Sequence, residues 1–543
     1  MDEIKTIREI LSSYDEISNI SDDGKIVFFE LYNNTYGLLF LPLTDPLSRP
    51  IIFIKDDEQY DYPHIMLSEI PINGDNYRAL CLYESGTQIE YIKTYEEKLI
   101  DAINRLFELL NLSPYEIERE FQNEFLFYWN AQAKEEVDVY IQSERTFHRM
   151  NVYRNKDGIF RFVSRKIALN DKSKYMHVPN LNVYYIPIID NRGILPPLKN
   201  KLWNSKVILN IFKGRDYKRI DSETYKAIQT EKINQTEAIF IFEMLVDKQI
   251  ITFGAKVRFK RSYHNTLLEK IEHSIDEIDY LEIKRCDYYF LNKQIGNETS
   301  IIGKKIAIVG AGSLGSYISV EMVKSGIKDL TLYDSDTVEG ENILRHQSDF
   351  FWRGCSKVYS LQYKLQQIHP EVMVEIKTEN ITTKILKDDM NKFDMIIFAV
   401  GNSDVQLSCN NLLKKENYAK PVLYVWLEAG GSNSHILCVD YSQKGCFECL
   451  YTDEKGRLIN NKVNRMTEEQ VESHTLRNGC GATRVAYGSS ILLRTTGVVL
   501  DMVQRVFNHE IKENILLNIT RTSVTEQSGK FIESRCNCCG DPD

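Results

Sequence analysis

Long apolar runs are missing from this 543-residue chain. No stretch approaches the roughly 20 apolar residues that a membrane span needs, so no membrane partner is expected. A basic excess is missing too: 67 lysines and arginines face 77 acids, for a net charge of −10 and a pI of about 5.7. Nucleic-acid binders carry a basic field, so a nucleic-acid partner is not expected either. An apolar leader is absent, because Met1-Asp-Glu-Ile-Lys5 opens a polar helix. The expected location is therefore cytoplasmic. In that reducing compartment the 11 cysteines read as metal ligands or free thiols and not as disulfides. The remainder is ordinary: 43% hydrophobic and 27% charged residues, in a length that suits about three or four domains.

Against these absences one stretch stands out. Ile306-Ala-Ile-Val-Gly-Ala-Gly-Ser-Leu-Gly315 is an apolar strand running into a glycine turn and a helix. Gly310, Gly312 and Gly315, with Ser313 between them, have the spacing that lets backbone N–H groups approach phosphates. Asp334 ends the next strand, where a carboxylate binds ribose hydroxyls. The glycines alone suit an NAD-linked dehydrogenase equally well. Asn342-x-x-Arg345 does not, because hydride transfer has no use for it; the pair suggests a triphosphate site.

From Ile306 onward helix and strand periods alternate, which predicts a mainly parallel, doubly wound sheet with its ligand at the strand C-terminal ends. Lys357 opens the helix Cys355–His369, and Asp404 follows the strand Met395–Val400. A site that adenylates a carboxylate needs this set. Arg345 and Lys357 would stabilise charge growing on the α-phosphate, and Asp404 would hold Mg²⁺. Asp404 also reads as a helix N-cap. Cys446-Phe-Glu-Cys449 and Cys536-Asn-Cys-Cys539 form paired CxxC motifs suited to tetrahedral Zn²⁺. The lone Cys480 lies in Arg477-Asn-Gly-Cys-Gly-Ala482, where glycines allow backbone motion and arginines favour a thiolate. Cys286, Cys355, Cys409 and Cys438 read as packing residues.

The first 130 residues begin with helical spacing over Ile4–Ile17, then strand-like runs at Lys25–Tyr32, Tyr36–Pro42 and Pro50–Lys55. Tyr62-Pro-His-Ile65, a loop at Asn73-Gly74 and Ala79-Leu-Cys81-Leu-Tyr83 follow. Thr94–Leu110 is amphipathic, and Ser113-Pro-Tyr-Glu116 is a capping box whose helix carries Ile117, Phe121, Phe125 and Trp129 on one face. Cys81 reads either as a buried core thiol or as a nucleophile. In the middle region strands are expected at Val137–Gln142, Ile159–Val163, Val183–Ile189 and Val207–Phe212, a largely helical run at Glu223–Gln249, and a strand pair turning at Gly254. Clustered carboxylates, metal spacing and a phosphate loop are lacking there, and Lys256, Arg258, Lys260 and Arg261 read as a solvated strand face.

Two resemblances join these motifs. Gly-Ala-Gly-Ser-Leu-Gly315, Asp334-x-Asp-x-Val-Glu-x-x-Asn342-x-x-Arg345, Lys357 with Ile368-His-Pro370, and Asp404 resemble the ThiF/MoeB and ubiquitin-activating superfamily. That resemblance implies ATP on Gly310, Gly312, Ser313, Gly315, Asp334, Asn342, Arg345 and Lys357, Mg²⁺ on Asp404, and zinc on the four cysteines. It also implies a crossover loop carrying a catalytic Cys480, a homodimer, and an arginine from the partner, for which Arg285 is a candidate. His346 stands where glutamine is common. The N-terminal order resembles the ubiquitin-conjugating fold, with Tyr62-Pro-His64 at its His-Pro-Asn position and Cys81 at its catalytic cysteine. The implied fold class is α/β and multidomain. It comprises an N-terminal α+β ubiquitin-conjugating-like domain over 1–130, a mixed α/β linker domain over 131–280, and a C-terminal Rossmann-like doubly wound ThiF-type adenylation domain over 281–543. This order resembles bacterial fused conjugating–activating proteins, including those of CBASS anti-phage operons. The implied reaction adenylates the C-terminal carboxylate of a ubiquitin-like protein or signalling enzyme, captures it on Cys480 and passes it through Cys81 to a protein amine. A sulfur-carrier adenylyltransferase and an inactive nucleotide-binding scaffold are the alternatives.

Overall fold

The computed structural model describes residues 3–32, 34–39, 49–56, 62–83, 91–142, 144–171, 174–199, 201–213, 218–477 and 483–540. They divide into two compact units, Met1–Arg165 with Met176–Arg285, and Lys166–Tyr175 with Cys286–Asp543.

The first unit contains two sheets. One has six antiparallel strands in the order Ile17–Asp22, Ile26–Leu31, Asn34–Leu39, Ile51–Lys55, Asp75–Leu80 and Ile65–Ile72. Its apolar face packs Val27, Phe29, Leu38, Ile52 and Ile54 against Leu99, Ile103 and Leu106 of the helix Tyr95–Leu110. Ser113 and Glu116 close a reciprocal capping box around Pro114, as the sequence predicts, and Thr94 and Glu97 close a second, unexpected one at the start of Tyr95–Leu110. The first helix is shorter than its periodicity suggests. It ends at Leu11, and Ile17 instead opens an edge strand. Asn73-Gly74 is no loop but a two-residue hairpin turn with both residues at positive φ, joining strands that end beside His64 and Cys81.

The helix predicted beyond Pro114 breaks at Glu124, whose φ −92°, ψ 13° separates Pro114–Asn123 from Phe125–Ala131. The break turns Phe125 and Trp129 into the core of the second, nine-stranded sheet, where Trp129 meets Trp203, Phe253 and Tyr280. Three expectations for that sheet fail. Ser205–Lys213 is a helix and not a strand. The run from Glu223 divides into a helix Ser222–Thr230 and a strand Glu237–Val246. Gln249–Phe259 is one uninterrupted strand through Gly254. The strands Glu237–Val246 and Gln249–Phe259 are buried on both faces, which removes the alternation that marks a strand, whereas Ser205–Lys213 buries one face through Ile208, Ile211 and Phe212, and its β-branched residues imitate a strand. Gly254 does not turn the chain; it makes room, since a Cβ there would lie 2.6 Å from Ile283 Cδ1. Lys256 pairs with Glu237, and Arg258 with Glu277 and Asp279, so these bases are a charge-paired strand face.

The second unit is built on an eight-stranded sheet. Met373–Lys377, Asp329–Tyr333, Lys305–Val309, Met395–Phe398 and Val422–Leu427 are parallel, and Asn433–Val439, Ile515–Thr520 and Val524–Ser528 continue it antiparallel. The helices Ser313–Lys324, Lys357–Ile368 and Ser489–Phe507 cover one face. Ser403–Lys415 and the four-cysteine region cover the other. Chain direction across the sheet reverses between Lys305–Val309 and Met395–Phe398, so the crevice at their C-terminal ends is a topological switch point. Among the described residues no helix is long and apolar enough to cross a membrane.

Candidate functional sites

At that switch point the glycine turn is built by exclusion. Gly310 has φ +94°, and a Cβ on it would sit 2.8 Å from Ala399 O. A Cβ on Gly315 would lie 1.8 Å from Gly310 O, so the helix Ser313–Lys324 starts against the turn only because that residue has no side chain. Gly312 caps the helix and has nothing within 4 Å of its Cβ position. It borders a cavity of about 260 Å³ together with Gly310, Asp334, Asp336, Lys357 and Asn402.

Asp334 is tied into the turn: Oδ2 accepts from Ala311 N at 2.7 Å and Oδ1 from Asp336 N at 2.8 Å. Burial pushes its carboxyl above the usual carboxylate range, against the opposing pull of Lys357. Lys357 is itself buried and reaches Asp336 Oδ2 at 2.7 Å. Asp336 is thus a site residue whose part the sequence leaves unassigned, although it is the second acid of the Asp-x-Asp motif. His346 closes the turn from below. Its Nε2 donates to Ala311 O at 2.6 Å and its Nδ1 accepts from Ser348 N at 2.9 Å, which defines a neutral tautomer. Burial pulls its pKa down to about 4, so it stays neutral and serves as a fixed donor.

Asn342 and Arg345 lie on the 3₁₀ segment Gly340–Arg345 and are not among the residues lining the cavity. Asn342 Oδ1 accepts from Glu339 N, and the Arg345 guanidinium lies 5.6 Å from the Tyr487 ring centre. Asp404 is exposed on the first turn of Ser403–Lys415, beside the cavity but outside its lining. It is not the N-cap: Asn402 caps the helix by accepting from Asp404 N and Val405 N. The gathered residues suit a nucleotide, since a glycine-walled space at a helix start takes phosphate, an acid takes ribose, and a lysine offsets phosphate charge.

Cys446, Cys449, Cys536 and Cys539 converge with their Sγ atoms within 4.8 Å of one another. Four thiols from two segments, buried except for the partly covered Cys539, fit tetrahedral zinc and would fasten the C-terminus to the Cys446–Cys449 turn. Cys538 lies outside the set, 3.2 Å from Asn410 Nδ2. Cys409 and Cys438 are buried packing residues, but Cys355 is exposed, contrary to expectation. Arg285 is buried against Glu243 at 2.5 Å, which engages the guanidinium proposed for a partner's site.

In the first unit Cys81 is exposed, not a core thiol. Its N–H donates to His64 O at 2.7 Å. His64 has φ +65° and is gripped by Glu124, which accepts from its backbone N at 3.1 Å and from Nδ1 at 2.8 Å; Glu120 lies 3.4 Å from Nε2. The Glu124 bond raises the His64 pKa, with Glu120 adding to it. Both ring nitrogens face carboxylates, so His64 holds the groove's shape and does not present a free donor to an oxyanion. The two glutamates escape a sequence reading because they lie more than 35 residues from Cys81; their only signal is i,i+4 spacing. Cys480 lies outside the described residues. The segment carrying it joins the strands Thr475–Arg477 and Thr483–Val485, which pair antiparallel.

The glycine turn, its acid and its lysine on this sheet agree with the match of residues 296–538 to the ThiF family. This region is a ThiF-family domain. Relatives extend the likeness. "ATP-dependent ubiquitin transferase-like protein Cap2" of Pseudomonas aeruginosa is 22% identical over 288 residues, covering 50% of this chain and 50% of its own. "Ubiquitin-like modifier-activating enzyme 5" of Caenorhabditis elegans is 29% identical over 162 residues, covering 27% of this chain and 37% of its own. The chain spans half or less of the length of these relatives. A crystal structure of Escherichia coli MccB aligns at 17% identity and a TM-score of 0.36, over 45% of this chain and 67% of that one.

Proposed function

We propose that the ThiF-family domain adenylates the C-terminal carboxylate of a protein, either a ubiquitin-like protein or a signalling enzyme. Cys480 captures the acyl group as a thioester, and Cys81 receives it by transthiolation and passes it to a protein amine. The observation that carries the first step is the cavity at the switch point, where Gly312 is open, Asp334 lines the wall and Lys357 reaches Asp336. The exposed thiol of Cys81 in its charged groove supports the last step. In this reading ATP phosphates lie on the Gly310–Gly315 turn, with Ser313 at its helix start, and Asp334 holds the ribose. Asn342, Arg345 and Lys357 address the phosphates, Asp404 holds Mg²⁺, and the four cysteines hold Zn²⁺. The chain acts as a homodimer in the cytoplasm, in anti-phage conjugation, as its resemblance to bacterial fused conjugating–activating proteins implies. Residues 1–130 act as the conjugating domain, 131–280 as the linker and 281–543 as the adenylation domain. Thioester formation divides one difficult acyl transfer into easier ones.

The test is a non-reducing gel of the full chain with ATP, Mg²⁺ and candidate partner proteins. Cys480→Ala should lose both thioester adducts, and Cys81→Ala only the second. A Cys480→Ala protein that keeps both adducts ends the relay. A Cys81→Ala protein with full activity supports a sulfur-carrier adenylyltransferase instead, and absence of ATP–pyrophosphate exchange supports an inactive scaffold.

A further inference from the structure

The groove beside Cys81 has a wall that the acyl relay leaves unused. Its volume is about 1260 Å³, and it lies wholly within the first unit. One side is the tight turn Asp247-Lys248 joining the strands Glu237–Val246 and Gln249–Phe259, where Val246 pairs with Gln249. Asp247 takes φ +51°, as the first residue of such a hairpin turn does. Arg119 fastens this turn to the helix Pro114–Asn123 with Nε and Nη2 at 3.3 and 2.9 Å from Asp247 Oδ2. The same helix carries Glu120, which lies 3.4 Å from His64 Nε2. The turn is therefore stapled to the element that shapes the thiol's surroundings.

Lys248 is the one lysine lining this groove among the described residues. It is exposed, and among the described residues its amine enters no ion pair. We infer that Lys248 is an acceptor for the acyl group of Cys81, making this hairpin of the nine-stranded sheet a self-modification site. This rests on the reading of Cys81 as an acyl-carrying thiol. The Lys248 ammonium gives a proton to a groove carboxylate such as Glu120, or to water, and the neutral amine attacks the thioester carbonyl carbon. A C–N bond forms and the C–S bond breaks. The Cys81 thiolate leaves and takes up the second amine proton. The products are an amide on Lys248 and a free thiol. An amine held in the same groove competes against amines in solution at an effective concentration of about millimolar or more. The amide also survives thiol reductants, whereas the thioester does not.

The experiment treats the full-length protein with a biotinylated glycyl-glycine thioester of mercaptoethanesulfonate, which loads an accessible thiol by exchange without ATP or a protein partner. Peptide mapping then locates the biotin before and after reductant. The expected result is a reductant-sensitive adduct on Cys81 that converts to a reductant-resistant branch at Lys248. That branch should exceed the branch at any other lysine at least tenfold, and it should be missing from Cys81→Ala. Lys248→Arg should lose the reductant-resistant product to the same extent. A Cys81 adduct that forms but discharges to water, or equally onto other lysines, overturns the inference and leaves the thiol reading standing. A chain whose Cys81 takes no adduct at all overturns the thiol reading and this inference with it.

Discussion

The Lys357 ammonium lies 2.7 Å from Asp336 Oδ2, and the two residues differ sharply in exposure: the Lys357 side chain is 10% accessible and that of Asp336 66%. A pair with one partner so exposed adds little to stability. Its effect is to hold a buried cation at the edge of the cavity, where, in the proposed reading, a phosphate would compete for it. Lys357→Ala should fold with a melting temperature close to that of the parent and lose ATP–pyrophosphate exchange by about a hundredfold, the scale of removing one transition-state charge donor. Exchange kinetics alongside a thermal melt check this; a large loss of stability with exchange intact would reverse the assignment.

Two glycines of one turn should respond oppositely to a single methyl group. Gly315→Ala places a Cβ on the backbone oxygen of Gly310, with no flexible side chain to give way. It should cost about 3 kcal/mol or more and show in calorimetry. Gly312→Ala meets no atom within 4 Å, so the fold should stand while the methyl occupies phosphate space. Nucleotide affinity measured by titration should fall at least tenfold.

The His64 clamp sets a pH window. Its imidazole is held above the ordinary value of 6.5, first by the Glu124 bond and then by Glu120. The stability it contributes is therefore complete below 6.5 and is lost as pH rises through the higher folded value. For Glu124, burial pushes the carboxyl up, but the His64 bonds outweigh it and hold the pKa below 4.5. Its contribution is present above 4.5 and is lost as pH falls through the lower folded value. An NMR titration should show His64 protonating above its ordinary value, and Glu124→Gln should bring that midpoint down.

Zinc should be stoichiometric with the chain. Cys446→Ser, or a strong chelator, should remove the metal and detach the C-terminal segment from the Cys446–Cys449 turn. Melting of the unit containing Cys286–Asp543 should fall by roughly 5–10 °C, judged by the size of an ordinary cross-link loss. Elemental analysis with a thermal scan reports both effects. Cys538→Ser, outside the four-thiol set, should retain the metal.

Much of the second unit was readable from periodicity, because a parallel sheet between helices writes strand and helix periods at different spacings. The strands around Gly310 and Asp334 and the helix Ser403–Lys415 appear close to where their patterns place them. The first unit was harder. Amphipathic spacing announces Tyr95–Leu110, and a capping box announces Pro114–Asn123, since a cap is a local reciprocal bond between residues three apart. The strand Glu237–Val246 is hard to read because residues buried on both faces lose the polar alternation, and the helix Ser205–Lys213 because its β-branched Val207, Ile208 and Ile211 suit a strand equally well.

Local chemistry in the sequence therefore determines which residues can do the work. Glycines at 310, 312 and 315, acids at 334 and 336, paired CxxC motifs and two lone thiols are matters of residue type and spacing. Which of them meet is decided only by the fold. Asp336 becomes the partner of Lys357 because a strand end and a helix start converge. Glu120 and Glu124 reach His64 because a helix breaks at Glu124, and its next residue is drawn into another sheet's core. The physical reason is range: caps and turns act over a few residues, whereas ion pairs and packed rings join whatever the chain brings within a few ångströms, at any separation in sequence.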